Sequence, residues 1–302
     1  MLPRVALQRA ILLLICLTPW CVEAREIYVH NLGGDDRWSG SVAQLVIEHG
    51  PVRTIQRALA IASKGDRIVV ENTGSPYREA ISLSAAKHCG FSAQPFIIEG
   101  NGATLDGSQP VPPTAWEFYQ ETTFRFQPRR LGYQQLFIDG RPAKRVHLHP
   151  DATDIPELQP LEWCVFAGRI FFSCEKDKLP ADYQLSYAAL PVGITLYHVH
   201  DVAVTGFTVQ GFQLDGINAH DGVRECVVSA IVARGNGRAG IGIAGSSQLQ
   251  VSGCLVGDNG TAQIYTEGLS ATNVTSSDVI ANTAPDYMRV GGRLFVEGQP
   301  RE

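Results

Sequence analysis

Three side chains in the C-terminal half of the chain have the chemistry to move protons: the phenol of Tyr197, the imidazole of His220 and the carboxylate of Glu267. With Ala244 they stand at intervals of 23, 24 and 23 residues, so they belong to a repeat. Thr195, Asn218, Gly242 and Tyr265 follow the same intervals two residues earlier. An imidazole takes a proton near neutral pH, and a phenol or carboxylic acid can return one. Asn218 and Tyr265 would offer a bound molecule an amide and a ring. A second group is basic: Arg125, Arg129, Arg130, Arg141, Lys144 and Arg145, with His147 and His149 close behind and only Asp139 to offset them. Such a concentration could neutralise an anionic polymer, with Lys144 and Arg145 in contact with it. The alternative reading is a solvated face of the segment that carries it.

What must position these groups is a coil of about two dozen residues. Ile194, Ile217, Ile241 and Ile264 head four segments, and Val204, Val228, Val251 and Val274 keep the same step. So do Phe207, Ile231, Cys254 and Ser277, and then Val209, Ala233, Val256 and Val279. Short strands with alternate side chains pointing inward produce such columns. One coil cannot bury its apolar face alone, but stacked coils share a core. Asn236, Asn259 and Asn282 form a further column in Gly- and Thr-rich turns. Stacked asparagines can hydrogen-bond along a column and tolerate left-handed backbone. Together the columns predict a parallel β-helix. Ile194/Leu196, Ile217/Ala219, Ile241/Ile243 and Ile264/Thr266 then point inward. His220 and Tyr197 face outward one coil apart, about 4.8 Å at the backbone, and Glu267 lies about 10 Å beyond His220. The intervening coil, with Gly242, Ala244 and Gly245, reads as a bare floor able to seat one ring-sized group.

The N-terminal region fits the same plan. Glu26–His30 reads as a strand, and Thr54–Ser63 sets Ile55, Ala58, Leu59 and Ala62 on one helical face. That helix would close the open end of the core. Strands over 67–70, 80–83 and 95–106 begin the coils. The expected domain is thus 25–302, with coils over 66–107 and 191–283 and an excursion over 108–190. The excursion opens at Val111-Pro112-Pro113 and carries strands at Phe124–Phe126, Gln135–Asp139 and Arg169–Ser173 as a small antiparallel extension.

The segments EIYVHNLGGDD, GPVRTIQRALAIASKGDRIVVENTG and FIIEGNGATLDGS resemble the opening of secreted right-handed parallel β-helix proteins of the pectin-lyase-like fold. GITLYHVHDVAVTGFTVQGFQLDGI is similar to their later coils. The resemblance covers 26–107 and 191–283. It implies a glycan chain bound along the outer face of one parallel sheet, with the excursion beside that groove. It does not extend to one enzyme. Leu214-Asp215-Gly216 and His220-Asp221-Gly222 invite comparison with polygalacturonases, but their paired-Asp and Gly-His-Gly set is absent. The Arg- and Lys-bearing signatures of the lyases are absent too. Members often bind calcium, for which Asp35, Asp36 and Asp66 are the candidates; the bland reading is a turn role.

Two classes of function remain open. One is a lyase or glycoside hydrolase of acidic polysaccharide, with His220 as base and Tyr197 or Glu267 as the partner acid. The other is a glycan-binding or surface structural β-helix without chemistry. Arg234 and Arg238, flanking the Asn236 turn, read as partners of turn carbonyls.

Residues 1–24 read as a secretory leader: Arg4 and Arg9, the apolar run Ala10–Leu17, then Val22-Glu23-Ala24. The apolar run is too short to span a bilayer. The whole chain carries −5, and removing two arginines and one glutamate leaves −6. Mild acidity argues against general nucleic-acid binding, and 30 Gly with 2 Met suits a turn-rich β protein. Five cysteines remain after the leader. Cys164 and Cys174 bracket a hairpin-like segment and are expected to pair, with Cys226 and Cys254 buried as thiols. Asn259 and Asn273 match the glycosylation pattern, the former already assigned to the ladder.

Overall fold

The computed structural model describes residues 24–129 and 132–301; the expected leader, Ala24 apart, and Arg130 lie outside them. Three parallel faces make a solenoid. Sheet 1 contains Ile81–Ser84, Ile194–Tyr197, Asp215–Ala219, Ala239–Ile243 and the first halves of Ala262–Thr275 and Tyr287–Val296. Sheet 2 contains Glu26–Val29, Arg67–Val70, Phe96–Glu99, His200–Thr205, Arg224–Ser229, Gln248–Ser252 and the second halves of the same two long strands. Sheet 3 is narrower: Thr104–Asp106, Thr208–Gln210, Val232–Arg234, Leu255–Gly257 and Asp278–Val279. Because Ala262–Thr275 runs unbroken round the corner, sheets 1 and 2 are continuous at that end.

The repeat columns are the registers of these sheets. Ile194 pairs with Ile217, Ile217 with Ile241 and Ile241 with Ile264. Val204, Val228, Val251 and Val274 align in sheet 2, and Val209, Ala233, Val256 and Val279 in sheet 3. All but the half-buried Val279 are withdrawn from water. Each such isoleucine or valine contributes about 1.5–3 kcal/mol on burial. Cys226 and Cys254 are buried thiols in this core.

Helix Ile55–Ile61 is capped by Thr54, whose hydroxyl accepts from the Arg57 amide. It buries Ile55, Ala58 and Leu59 against the first strands, closing the end of the core.

The asparagine column holds for two of its three members. Asn259 Oδ1 accepts from both the amide and the side chain of Asn236, each at 3.0 Å, and both residues are wholly buried. Asn282 does not continue the stack: it is exposed and bonds Asp258 instead. Gln263 takes the next place, its Oε1 accepting from Asn259 Nδ2 at 2.8 Å. The left-handed residue of each turn is the one nearby, Gly235 (φ 62°) and Asp258 (φ 60°), rather than the asparagine.

The excursion holds two small sheets where one was expected. In the first, Ser108–Pro110, Leu185–Ala188, Leu136–Ile138 and Arg141–Pro142 run antiparallel. In the second, Glu117–Gln120, Thr123–Phe126, Arg169–Ser173 and Glu162–Phe166 are antiparallel neighbours, and Lys144–Arg145 adds a parallel edge. Trp163, Phe126, Phe172 and Leu136 form their core. The expected Cys164–Cys174 bridge is absent, and the register explains it. Cys164 lies opposite Phe171, in a cluster with Leu158, whereas Cys174 lies beyond the strand in the Trp163 cluster. Both are buried free thiols. The excursion is tied at its root, where the Ala189 and Leu190 amides donate to the Gly107 carbonyl at 3.1 and 3.0 Å.

Candidate functional site on the outer face of sheet 1

The position predicted to be bare floor is occupied. Asp215 enters its strand with a side chain that turns over the outer face, above Gly242 of the next coil. A Cβ on Gly242 would collide with this carboxylate. Arg238 enters the following strand and lies along the same face. Its Nε and Nη2 donate to Asp215 at 2.9 and 2.6 Å, and its Nη1 donates to Glu267 at 3.4 Å. The guanidinium carbon sits 4.8 Å from the centroid of the Tyr265 ring. Asn218 Nδ2 donates to the same Asp215 carboxylate. Asp215 is fully buried, Arg238 nearly so, and Glu267 retains about a third of its side-chain exposure (33%).

The electrostatics follow. Burial works against the Arg238 charge, but the Asp215 hydrogen bonds and the Asp215 and Glu267 charges outweigh it and hold the guanidinium above its ordinary range. The Tyr265 hydroxyl is raised by burial and by Glu267. Tyr133 of the excursion packs on Gly237, immediately before Arg238, and bears on the charges of Arg238 and Tyr265. One arginine thus serves two carboxylates and leaves no free cation in the network.

Tyr197 and His220 lie at the other end of the strands. Both are exposed, with ring centroids 6.4 Å apart. His198 stands edge-on to Tyr197 at 4.3 Å. Next to His220, the Asp221 carboxylate accepts from the Ser246 amide (2.7 Å), the Ser246 hydroxyl (3.0 Å) and the Gly222 amide (2.7 Å). Those bonds hold it below the usual carboxylate range. Gly245, with φ +61°, passes over this carboxylate where a side chain would strike it.

The structure therefore joins Asn218, Tyr265 and Glu267 through Arg238 and Asp215, and brings Tyr197 to His220. Lys144 and Arg145 lie elsewhere. They line a cavity of about 410 Å³ with Gln135, His147, Asp258 and Asn282, between the excursion and the turns that lead into sheet 1. The rest of the basic group is dispersed. Arg125 pairs with Glu117 at 3.2 Å, Lys144 with Glu162 at 2.6 Å, and Arg129 borders a separate cavity beside Tyr187.

The calcium candidates do not converge. Asp35 pairs with Arg37, Asp36 accepts from Arg53 and Thr54 at the helix start, and Asp66 pairs with Arg25. Among the described residues no three metal-ligating side chains come together, and no helix is long and apolar enough to cross a membrane. Asn259 is buried and Asn273 exposed. Sequence reasoning missed Asp215 and assigned Arg238 to turn carbonyls. The available signal was their spacing: opposite charges 23 residues apart, one repeat length, sit side by side on adjacent coils.

The family described as "Right handed beta helix region" matches residues 192–292. No curated protein matches the chain. A solved structure titled "The complex structure of XylC with xylose" is similar over 90% of this chain and 70% of its own, at 12% identity and a TM-score of 0.44.

Proposed function

We propose that this right-handed parallel β-helix binds a polysaccharide along the outer face of sheet 1 and cleaves it, with His220 as base. Tyr197 or Glu267 is the partner acid, and Asn218 and Tyr265 contact the sugar. The observation that carries the reading is the Asp215–Arg238–Glu267 network, stacked on Tyr265 and set on the same exposed face as the His220–Tyr197 pair. A fixed guanidinium and a partly exposed carboxylate pre-orient polar contacts at low entropic cost. Aromatic rings beside them suit the apolar faces of sugars.

The same network refines the substrate. β-Elimination from a uronate is assisted by a cation that neutralises the sugar carboxylate. Arg238 is committed to Asp215 and Glu267, which favours a neutral glycan and hydrolysis over an acidic glycan and elimination. The engagement of Arg238 also supports a second reading, in which the face binds glycan without chemistry. Action outside the cytoplasm, after removal of residues 1–24, belongs to the proposal and is checked by N-terminal sequencing of exported protein.

The test is incubation with neutral and uronic-acid polysaccharides, assayed for new reducing ends and for unsaturated products, with affinity electrophoresis alongside. Reducing ends from a neutral chain, lost in His220→Ala, are expected. Retardation without products moves the protein to the binding class, and neither response from any polysaccharide overturns the proposal.

A further inference from the structure

Among the described residues, Arg145 is a cation without a counter-charge. Its guanidinium lies 5.1 Å above the ring of the fully buried Trp163. Its single hydrogen bond runs from Nη1 to the Gln134 carbonyl at 3.3 Å, and its Nε is buried with no partner. Neighbouring cations of the excursion are matched: Lys144 by Glu162, and Arg125 and Arg169 by Glu117. A buried charge left unpaired is costly, and proteins retain one where something else supplies the opposite charge. Neither of the acids nearby pairs with Arg145. Glu162 holds Lys144 and accepts from the Gln159 amide, and Asp258 accepts from Asn282 Nδ2 at 2.7 Å.

We propose that the cavity lined by Arg145 is a binding site for an oxyanion, the carboxylate of a sugar acid or a sulfate, with the Arg145 guanidinium as its principal partner. The cavity encloses about 410 Å³ between the excursion and the turns at 258–260 and 282–283, a volume within the range of small-molecule sites. A guanidinium presents paired N–H donors that match an oxyanion edge to edge. Gln135 adds a polar group from the excursion, and Asn282 and Thr283 add theirs from the turns on the other side. His147 also lines the space, and partial burial together with the Arg145 charge lowers its proton affinity. Arg145 itself is pulled down by burial, the cost that a bound anion would relieve. This site is independent of the glycan reading of sheet 1, because none of its lining residues lies on that outer face.

The experiment is calorimetric titration of the full chain with sodium sulfate and with glucuronate at constant ionic strength, with glucose as the uncharged control. Saturable binding of at least one anion and none of glucose is expected. Glucuronate alone identifies a sugar acid as the source, and sulfate binding alone or in parallel identifies the free anion or a sulfated chain. Arg145→Met should weaken binding at least tenfold. His147→Glu, at an exposed position that places a carboxylate on the cavity wall, should weaken it as much and decides the matter if Arg145→Met fails to fold. Absence of saturable binding by either anion, or undiminished binding by the variants, overturns the proposal.

Discussion

Replacing Arg238 by methionine keeps most of the side-chain volume and removes the charge from beneath Asp215 and Glu267. Asp215 is fully buried and would retain only the Asn218 amide as a side-chain donor. Two charge-assisted bonds, at 2.9 and 2.6 Å, disappear together. Breaking a buried pair from one side costs about 3–5 kcal/mol, because the remaining charge stays desolvated. The partly exposed Glu267 contact, at 3.4 Å, adds no more than about 1 kcal/mol. A loss of about 3–5 kcal/mol corresponds to a fall in melting temperature of roughly 6–20 °C for a domain of this size. Removing both charges, in Asp215→Asn with Arg238→Met, should recover a large part of that loss, as coupled neighbours do. The assay is urea denaturation of parent, both single variants and the double variant. A loss below about 1 kcal/mol for Arg238→Met, or strict additivity in the cycle, would refute the view that the network is one buried unit.

Other expectations follow from individual sites. Ile241→Asp places a charge among wholly buried neighbours and should cost several kcal/mol, enough to unfold the domain; circular dichroism checks it. All five described cysteines should remain reduced and alkylate only after denaturation, since burial pushes the Cys164 thiol up to about 11 and the Cys174 thiol up to about 12; mass mapping without reductant reads this directly. Asp221 is held below its ordinary value by Ser246 and Gly222. Its contribution is therefore complete above about pH 4, the unfolded carboxylate range, and is lost as pH falls through the lower folded value. Asp221→Asn should melt below the parent at pH 7, with the gap closing towards pH 2. His220→Ala should abolish turnover on the substrate that the polysaccharide screen identifies while leaving the melting temperature nearly unchanged, because the side chain is exposed; near-parental turnover would exclude His220 as the base.

The solenoid was readable because its cause is periodic. Ile194, Ile217, Ile241 and Ile264 occupy one inward position on successive coils, and every coil repeats the same steric demand. The site was less readable because strict alternation fails where a strand begins. Asp215 has the parity of Ile217 and Ala219 and so reads as inward, yet its carboxylate turns outward over Gly242. Glycine at 242 looked like empty floor, whereas its missing side chain is the space the carboxylate fills. Asn282 shows the same limit: the column persists in sequence, but the turn shifts by one residue and the amide meets Asp258. Cys164 and Cys174 misled because proximity in sequence says nothing about the face of a hairpin on which a side chain falls.

The tie at the root of the excursion bears on the order in which the chain folds. Thr104–Asp106 must find Thr208–Gln210 across an intervening stretch roughly twenty times the length of an ordinary connection. Loop closure costs about 0.6 kcal/mol for each doubling, so roughly 2.5 kcal/mol more than a short connection requires. From residue 191 onward successive coils are separated only by short turns, and contacts of low sequence separation form fastest. Nucleation therefore belongs to the C-terminal coils. The N-terminal strands and their helix dock afterwards, once the Gly107 carbonyl and the Ala189 and Leu190 amides have drawn the two ends of the excursion together.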